Sequence, residues 1–489
     1  MDKRLGGSTF ADGIWVHLNI QSDFMFEEEN EDDFFNLLDL IDEFKRMQAE
    51  GRSRFYDLEE FEAISDYFYE IGKAKKALEV LDMAADQHPY ASSLKLKKVQ
   101  YLTSLDKTRE ANKVLNELEG ESADHYEMHM ARAGLYSKMG NHQKSIEQYR
   151  QALGHTEFPE DVYHLLALEY QLTGAYDKAL RYLKMSLKQF PEDEIALYNL
   201  ALCYDLLERP EAGVEYLEKF IDENPYSEIA WYHLGLMQAK LENYPQALRA
   251  LDYAILIDDY FSAAYYEKAR ILELEFRYQE AAETYQATFE YDGASGYGYY
   301  KTGLCYLRLG KTHKAETYLN KAIQEDPELE EAYFELALLK DEEKQWPEAL
   351  YMINKAVDLD PENWEYRHSS ALMHRRAGKQ DEAVVIYKRL IDDQYCNAHT
   401  FIEYAQLLFD MCEFKQGMDV MYQALELYPA SSELHYQMSG YLYTIEEGDE
   451  AEIYLRKALK LDAGGRSFFL ALFPWLKENV KVKALLQKH

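Results

Sequence analysis

His125 and His129 are the residues of this sequence that come closest to forming a metal site. A helix would place both imidazoles on one face, one turn apart, and imidazole nitrogens are common ligands of transition metals. A protein metal site needs at least three ligands, and two histidines alone leave such a site incomplete. His129 also falls in a column of core residues. The sequence therefore predicts no bound metal and no cofactor.

Sequence patterns of catalysis are missing as well. The chain has no glycine-rich phosphate loop, no HExxH motif and no nucleophile elbow. Its four cysteines form no CxxC pair, and Cys203 and Cys305 occupy equivalent positions on predicted helices. Buried thiols in a reducing compartment explain that usage best. The sequence predicts a cytoplasmic protein that is not an enzyme.

The balance of charges restricts the class of partner. The 489 residues include 53 basic and 89 acidic side chains, a formal net charge of −36. Such a charge disfavours nucleic acid and anionic lipid, because both are negative, and favours basic or apolar partners. No apolar run reaches the length needed to span a bilayer, so we expect no membrane insertion.

The helices that carry these residues belong to a repeated unit, seen most clearly in residues 228–261. Apolar and small residues recur there at helical spacing on two successive segments, and Pro245 suits the first turn of the second helix. The residues that share the two faces are Trp231, Leu234 and Gly235, then Ala247, Leu251 and Ala254. The small residues allow the two helices to approach closely, and Trp231 and Leu251 are expected to fill the remaining core.

Copies of this unit follow one another every 34 residues. Twelve copies, numbered repeat 1 to repeat 12 below, begin at residues 58, 92, 126, 160, 194, 228, 262, 296, 330, 364, 398 and 432 and fill 58–465 without an insertion. Position 20 of the repeat is always small: Ala77, Ala111, Ser145, Ala179, Gly213, Ala247, Ala281, Ala315, Ala349, Ala383, Gly417 and Ala451. Position 24 is always large and apolar or aromatic. Columns that stay in phase this long predict twelve helix pairs.

The residues of repeat 6 resemble the tetratricopeptide repeat, whose pattern is W-x2-L-G-x2-Y, followed by two alanines and a proline. Gln238 and Asp259 depart from that pattern, at the tyrosine and the proline. The resemblance implies an all-α fold, a right-handed α-solenoid (superhelix) of tandem helix-turn-helix repeats, and protein or peptide partners. The whole chain is also similar to acidic bacterial proteins with many such repeats, a likeness that implies no activity.

The repeats and their flanks predict four segments: 1–32, flexible and acidic; 33–57, a capping helix; 58–465, the twelve repeats; and 466–489, C-terminal capping helices. Met25 is a candidate for the natural start of the chain, because the helical pattern begins only after it. At the junction of repeats 9 and 10, Lys340, Arg367 and His374 fall at positions that are normally buried. They either pair with nearby carboxylates or mark a softer joint.

In repeats of this family the first helix lines an inner groove, chiefly through positions 2, 5, 9, 12 and 13. Position 5 is aromatic from repeat 5 to repeat 9, position 9 is mostly leucine, and position 13 contributes basic residues. The predicted partner-binding residues are Tyr198, Leu202, Tyr232, Leu236, Lys240, Tyr266, Arg270, Tyr300, Leu304, Arg308, Phe334, Leu338, Leu372 and Arg376. The family's carboxylate clamp needs Lys and Asn where repeat 4 has His164 and Leu168, so that clamp is absent.

These features favour a non-catalytic scaffold that binds an extended or helical apolar segment of a partner in a groove lined by tyrosine and leucine. A second hypothesis is self-assembly through an incompletely covered end face, which would give a homodimer or a larger oligomer. The aromatic ladder is also compatible with two arrangements that involve no partner. The tyrosines can pack on one another, or the chain's own N-terminal segment can fill the groove.

Overall fold

The structure is a computed structural model that describes residues 31–52, 54–118, 125–291, 293, 295–394 and 396–488. The flexible segment predicted for residues 1–32 lies almost entirely outside these ranges. The described residues form helices joined by short connections, and they include no strand. They divide into two compact units, one ending at His233 and the other beginning at Leu234. The division falls inside the first helix of repeat 6.

The first unit begins with a single helix, which helix pairs then follow. Its helices are α1 Glu31–Ala49, α2 Leu58–Glu70, α3 Ala74–Gln87, α4 Ser92–Ser104, α5 Thr108–Glu117, α6 His125–Lys138, α7 His142–Ala152, α8 Glu160–Leu172, α9 Tyr176–Gln189, α10 Glu194–Leu206, α11 Pro210–Glu223 and the beginning of α12 Glu228–Lys240. Ile41 and Phe44 of α1 are buried in one cluster with Phe61, Ile64 and Phe68 of α2. The first helix therefore packs on repeat 1 through its apolar stripe.

The second unit contains the rest of α12 and the helix pairs that follow it. These helices are α13 Tyr244–Ile257, α14 Ser262–Leu274, α15 Tyr278–Tyr291, α16 Gly296–Arg308, α17 Thr312–Glu325, α18 Glu330–Glu342, α19 Trp346–Leu359, α20 Trp364–Arg376, α21 Gln380–Asp392, α22 Ala398–Asp410, α23 Phe414–Leu427, α24 Ser432–Thr444, α25 Gly448–Leu461, α26 Arg466–Leu472 and α27 Val480–Lys488. None of the described helices is both long enough and apolar enough to cross a membrane.

Small residues at position 8 lie where the second helix of the same repeat approaches. A Cβ atom added to Gly235 would lie 2.8 Å from Cγ of Leu251, closer than side chains tolerate. Leu251 is fully buried, in agreement with its predicted core position. Trp231, also predicted for the core, is only half-buried, and its Nε1–H donates to the carbonyl oxygen of Pro225 at 2.9 Å. Trp231 therefore lies at the edge of the core.

The turn within each described repeat uses a left-handed backbone at position 15. There φ lies between 53° and 77° in Gly72, Asp106, Gly140, Gly174, Glu208, Glu242, Phe276, Gly310, Lys344, Gly378, Cys412 and Glu446. Glycine adopts this conformation freely, whereas for each other residue type it costs about 1 kcal/mol. Seven of these twelve positions are not glycine. The packing of the helix pair, rather than the local sequence, therefore imposes the turn.

The basic residues at the junction of repeats 9 and 10 are paired. Lys340 is 7% exposed, and its Nζ lies 2.5 Å from a carboxylate oxygen of Glu316. Arg367 lies 2.5 Å from the carboxylate of Asp393, and buried His374 hydrogen-bonds a carbonyl of its own helix at 2.8 Å. Of the two alternatives for this junction, pairing with carboxylates holds for Lys340 and Arg367.

The segment after repeat 12 packs on the first helix of that repeat. The ring of Phe469 lies 5.6 Å from that of Tyr436, and the ring of Phe473 lies 5.6 Å from that of Tyr441. The Tyr436 hydroxyl donates to the carbonyl oxygen of Asp462 at 2.6 Å. Both phenylalanines are buried. Helix α26 therefore covers apolar surface on α24.

Candidate functional site

In the second unit, the first helices of neighbouring repeats lie side by side. Polar pairs join them: Glu273 with Lys301 at 3.0 Å, His368 with Glu403 at 2.6 Å, Arg375 with Asp410 at 2.6 Å, and Asp341 with Arg376. Each pair links one repeat to the next along α14, α16, α18, α20 and α22. We call the surface formed by positions 2, 5, 6, 9, 12 and 13 of these helices the first-helix face.

The apolar residues predicted for partner binding lie on this face or directly before it, half-buried. They are Leu236, Tyr266, Tyr300, Leu304, Phe334, Leu338 and Leu372. Tyr300 packs against the core cluster that contains Leu319 and Leu336, and Phe334 packs against the cluster that contains Ile353. Other residues of the chain thus cover part of each side chain, and the remaining part is open to solvent.

The aromatic surface is wider than the ladder at position 5. The ring of Tyr297 lies 6.0 Å from that of Tyr266 and 6.4 Å from that of Tyr300. The ring of Tyr366 lies 4.7 Å from that of Phe334. Tyr297 is 53% exposed and occupies position 2, a groove position that contributed no residue to the predicted partner-binding set. Reading position 2 as well as position 5 would have found it.

Two of the predicted basic residues already pair with carboxylates of the chain. Arg270 Nε donates to Glu267 at 2.9 Å on the same helix, and Arg376 pairs with Asp341 of the preceding repeat. Their charges are therefore largely neutralised within the chain, and they are poor candidates for binding an acidic partner. The other two predicted basic residues, Lys240 and Arg308, are exposed.

Three predicted residues belong to the first unit: Tyr198, Leu202 and Tyr232. Tyr198 is 58% exposed, and its ring lies 5.6 Å from that of His233. The Tyr232 ring lies 5.3 Å from the same imidazole. These two tyrosines therefore surround a buried histidine, a contact that their groove positions did not predict.

Three carboxylates on the first-helix face were not predicted from the sequence. Glu331 and Glu335 lie four residues apart on α18, and Glu365 begins the first-helix face of α20. Burial raises the pKa of Glu335, nearby Arg308 opposes the rise, and Glu365 adds to it. The sequence signal for these carboxylates is a glutamate at both groove positions 2 and 6 of one repeat. That signal is weak, because charged residues on a helix usually face solvent.

The two histidines considered for metal binding both lie beside a third histidine, His155, and one of them hydrogen-bonds a glutamine. His129 Nδ1 donates to Oε1 of Gln148 at 2.9 Å, and the His155 ring lies 5.3 Å from His125 and 5.7 Å from His129. Throughout the described ranges, no three His, Cys, Asp or Glu side chains are arranged to hold a metal ion.

A cleft of about 690 Å³ lies away from the predicted residues, between α13, α14 and α15. Leu248 and Leu272 contribute apolar walls, and Lys268 pairs across it with Asp252 at 2.6 Å. None of the predicted partner-binding residues lines this cleft. Arg277 of its lining also pairs with Glu280, at 2.6 Å.

The architecture defines the chain as an all-α protein of tandem helix-turn-helix repeats, as the sequence predicted. Family models described as tetratricopeptide repeat match residues 126–154, 164–228, 207–260 and 296–329. These segments of the chain are therefore tetratricopeptide repeats. That assignment supports a protein-interaction scaffold and leaves the binding surface and the partner open.

Similar proteins cover parts of the chain. The human protein O-mannosyl-transferase TMTC1 is 30% identical over 86 residues, which are 18% of this chain and 10% of that protein. The crystal structure of YrrB, described as a TPR protein with an unusual peptide-binding site, is 20% identical and covers 38% of this chain and 96% of its own, with a TM-score of 0.33. A tetratricopeptide repeat protein from Parabacteroides merdae is 18% identical and covers 51% of this chain and 99% of its own, with a TM-score of 0.35. Because this chain spans only a tenth of TMTC1, nothing of that enzyme's activity transfers with the match.

Proposed function

We propose that the chain is a non-catalytic scaffold whose second unit binds an apolar segment of a partner protein on the first-helix face. The observation that carries this proposal is the row of half-buried tyrosine and leucine side chains on neighbouring first helices. Each of these side chains is partly covered by the chain and partly open to solvent. A soluble protein rarely keeps such apolar surface open unless a partner covers it.

The spacing of these residues favours a peptide segment over a small molecule. Leu304, Leu338 and Leu372 occupy the same position in three successive repeats, so they recur across the face at the spacing of the helices. A segment that crosses the helices can place successive side chains against successive repeats. Since Arg270 and Arg376 are paired within the chain, two of the four predicted basic residues are not available to an acidic partner.

The first test replaces two leucines of this face. The purified chain is used to capture partner proteins from lysate. The variant with Leu304→Asp and Leu372→Asp is expected to capture none of them, because the change puts two charges into the apolar contact. Both side chains are partly exposed, so the helices should be retained, which circular dichroism checks.

The matched control makes the same change on second helices. Leu256 and Leu427 are 78% and 57% exposed and lie on α13 and α23, away from the first-helix face. Leu256→Asp with Leu427→Asp should retain every partner. Equal retention by the two double variants would mean that partners bind elsewhere and would overturn the proposal.

Self-assembly through an end face has less support in the second unit. Phe469 and Phe473 bury the apolar surface of repeat 12 that a second copy would need. The net charge of −36 also opposes close association of identical chains. A different protein is therefore a better candidate for the partner than a second copy of this chain.

A further inference from the structure

The first-helix face carries two kinds of carboxylate. Those of Glu273, Asp341, Glu403 and Asp410 each pair with a basic side chain of a neighbouring repeat. Those of Glu331, Glu335 and Glu365 form no hydrogen bond and no ion pair with any other described residue. The unpaired set lies on the first helices of repeats 9 and 10, and the neighbouring first helix of repeat 8 carries Tyr300 and the exposed ring of Tyr297.

The rings and these carboxylates are close enough to affect one another. Burial, followed by the charges of Glu335 and Glu331, raises the pKa of the Tyr300 hydroxyl. Burial and the charge of Glu331 likewise raise the pKa of Tyr366. Tyr297 extends the aromatic surface beside Tyr300. Carboxylates and open aromatic rings thus share one surface.

This arrangement is unfavourable for the isolated chain. Glu331 and Glu335 are like charges at i and i+4 on α18, a spacing that destabilises a helix. Glu335 is also half-buried, where an unpaired carboxylate loses hydration. Arg308 is the cation that acts on Glu335, but it makes no ion pair among the described residues. A cation supplied from outside would relieve both costs.

We propose that this surface receives a lysine or arginine side chain of the bound partner, so that the partner segment is basic as well as apolar. Resting on the proposed function, this inference specifies the partner of the same face. The carboxylates of Glu331, Glu335 and Glu365 bind the cationic head, and the rings of Tyr297 and Tyr300 contact the head and its aliphatic stem. The half-exposed leucines at position 9 take the apolar neighbours of that residue in the partner. The overall negative charge of the chain attracts such a segment over longer range.

Random nonapeptides displayed on phage provide a probe that assumes no partner. Selected against the full chain, they are expected to be enriched in a lysine or arginine flanked by apolar residues. Selected against Glu331→Gln combined with Glu335→Gln, they should lose the basic residue and keep the apolar ones. A control with the same change in net charge is Glu382→Gln with Glu426→Gln, since both glutamates are exposed on second helices. That control should keep the basic residue.

The outcomes separate this inference from the proposed function. Apolar peptides without a basic residue, enriched on the unmodified chain and lost on the Leu304→Asp, Leu372→Asp variant, would overturn the inference and leave the function standing. Peptides selected on the Glu331→Gln, Glu335→Gln variant that still contain the basic residue would also overturn the inference and leave the function standing. Peptides enriched equally on the unmodified chain and on the leucine variant would overturn both.

The glutamine variant should lose affinity for the basic peptide while its stability stays nearly unchanged. The most enriched lysine peptide should bind about ten-fold more weakly to it by fluorescence anisotropy, because charge-assisted hydrogen bonds are lost. A copy of that peptide with norleucine in place of lysine should bind both proteins equally. The variant should melt close to the temperature of the unmodified chain, because removing the repulsion on α18 and removing the favourable charge of Glu331 at the start of that helix oppose each other. Equal affinity of the lysine peptide for the variant and for the unmodified chain would overturn the inference.

Discussion

Replacing Gly440 by alanine is expected to destabilise the end of the second unit by about 3 kcal/mol, at the upper end of the usual range for overpacking a core. A Cβ atom at this position would lie 2.1 Å from Cε2 and 2.2 Å from Cζ of Phe473. Phe473 is buried against the ring of Tyr441, so it has little room to move aside. The added methyl group therefore has to displace α26 from α24.

A glycine at the same position of another repeat supplies the control. Gly134 is position 9 of repeat 3, in the middle of α6, and no atom would lie within 4 Å of an added Cβ. Gly134→Ala should stabilise its helix by about 0.5–1 kcal/mol, because alanine loses less backbone freedom than glycine.

Hydrogen exchange gives the local measurement for this pair of variants. Residues 466–488 should exchange faster in Gly440→Ala and at the unmodified rate in Gly134→Ala. Unchanged exchange of that segment in Gly440→Ala would show that α26 does not pack on α24 as described.

Lowering the pH from 7 to 4 is expected to remove about 3 kcal/mol of stability from the first unit through His233 alone, since a shift of one pKa unit corresponds to about 1.4 kcal/mol. His233 is 4% exposed, and burial lowers its pKa from 6.5 to about 4. Between these two values the unfolded chain binds a proton that the folded chain does not. The unfolded state therefore gains relative stability as the pH falls through this window.

Melting temperatures measured from pH 7 to pH 4 test this prediction. His233→Gln should melt with a shallower dependence on pH than the unmodified chain, because glutamine does not titrate. His313→Gln changes an exposed histidine and should leave the dependence unaltered. Parallel curves for the unmodified chain and His233→Gln would show that His233 is not buried in its neutral form.

The helices were predictable because one constraint acts on every repeat. Two helices that cross closely need small residues where they meet and a large apolar residue beside them, as Gly235 and Leu251 illustrate. That requirement leaves columns of small and of large residues in the sequence, and their agreement across twelve repeats makes them recognisable. Every first helix but one begins at the predicted position 1, and α6 begins one residue earlier.

Features that depend on contacts between elements were not predictable in this way. The left-handed turn carries no local signal at Phe276 and at the other equivalents that are not glycine, since packing of the helices imposes it on residues that disfavour it. The pairing of Arg376 with Asp341 joins residues 35 positions apart, which no helical periodicity reveals. Trp231 occupies the position that is aromatic in the family pattern, but it lies at the edge of the core instead of inside it.

The candidate site likewise has features that the repeat predicts and features that depend on contacts between repeats. Its apolar residues at positions 5 and 9 followed from the repeat, because equivalent positions face the same side. Which charges on that side remain unpaired depends on the neighbouring repeats. Glu335 and Glu403 both occupy position 6, yet Glu403 pairs with His368 and Glu335 pairs with no described residue.

Site-directed photo-cross-linking can establish whether partners bind the first-helix face. A photoreactive phenylalanine derivative is placed at Tyr300 on that face, or at Tyr351, which is 58% exposed on the second helix α19. Partner peptides cross-linked to each position are identified by mass spectrometry. We expect cross-links from position 300 to an apolar segment containing lysine or arginine, and few from position 351. Cross-links that form equally at both positions, or mainly at 351, would contradict binding on the first-helix face.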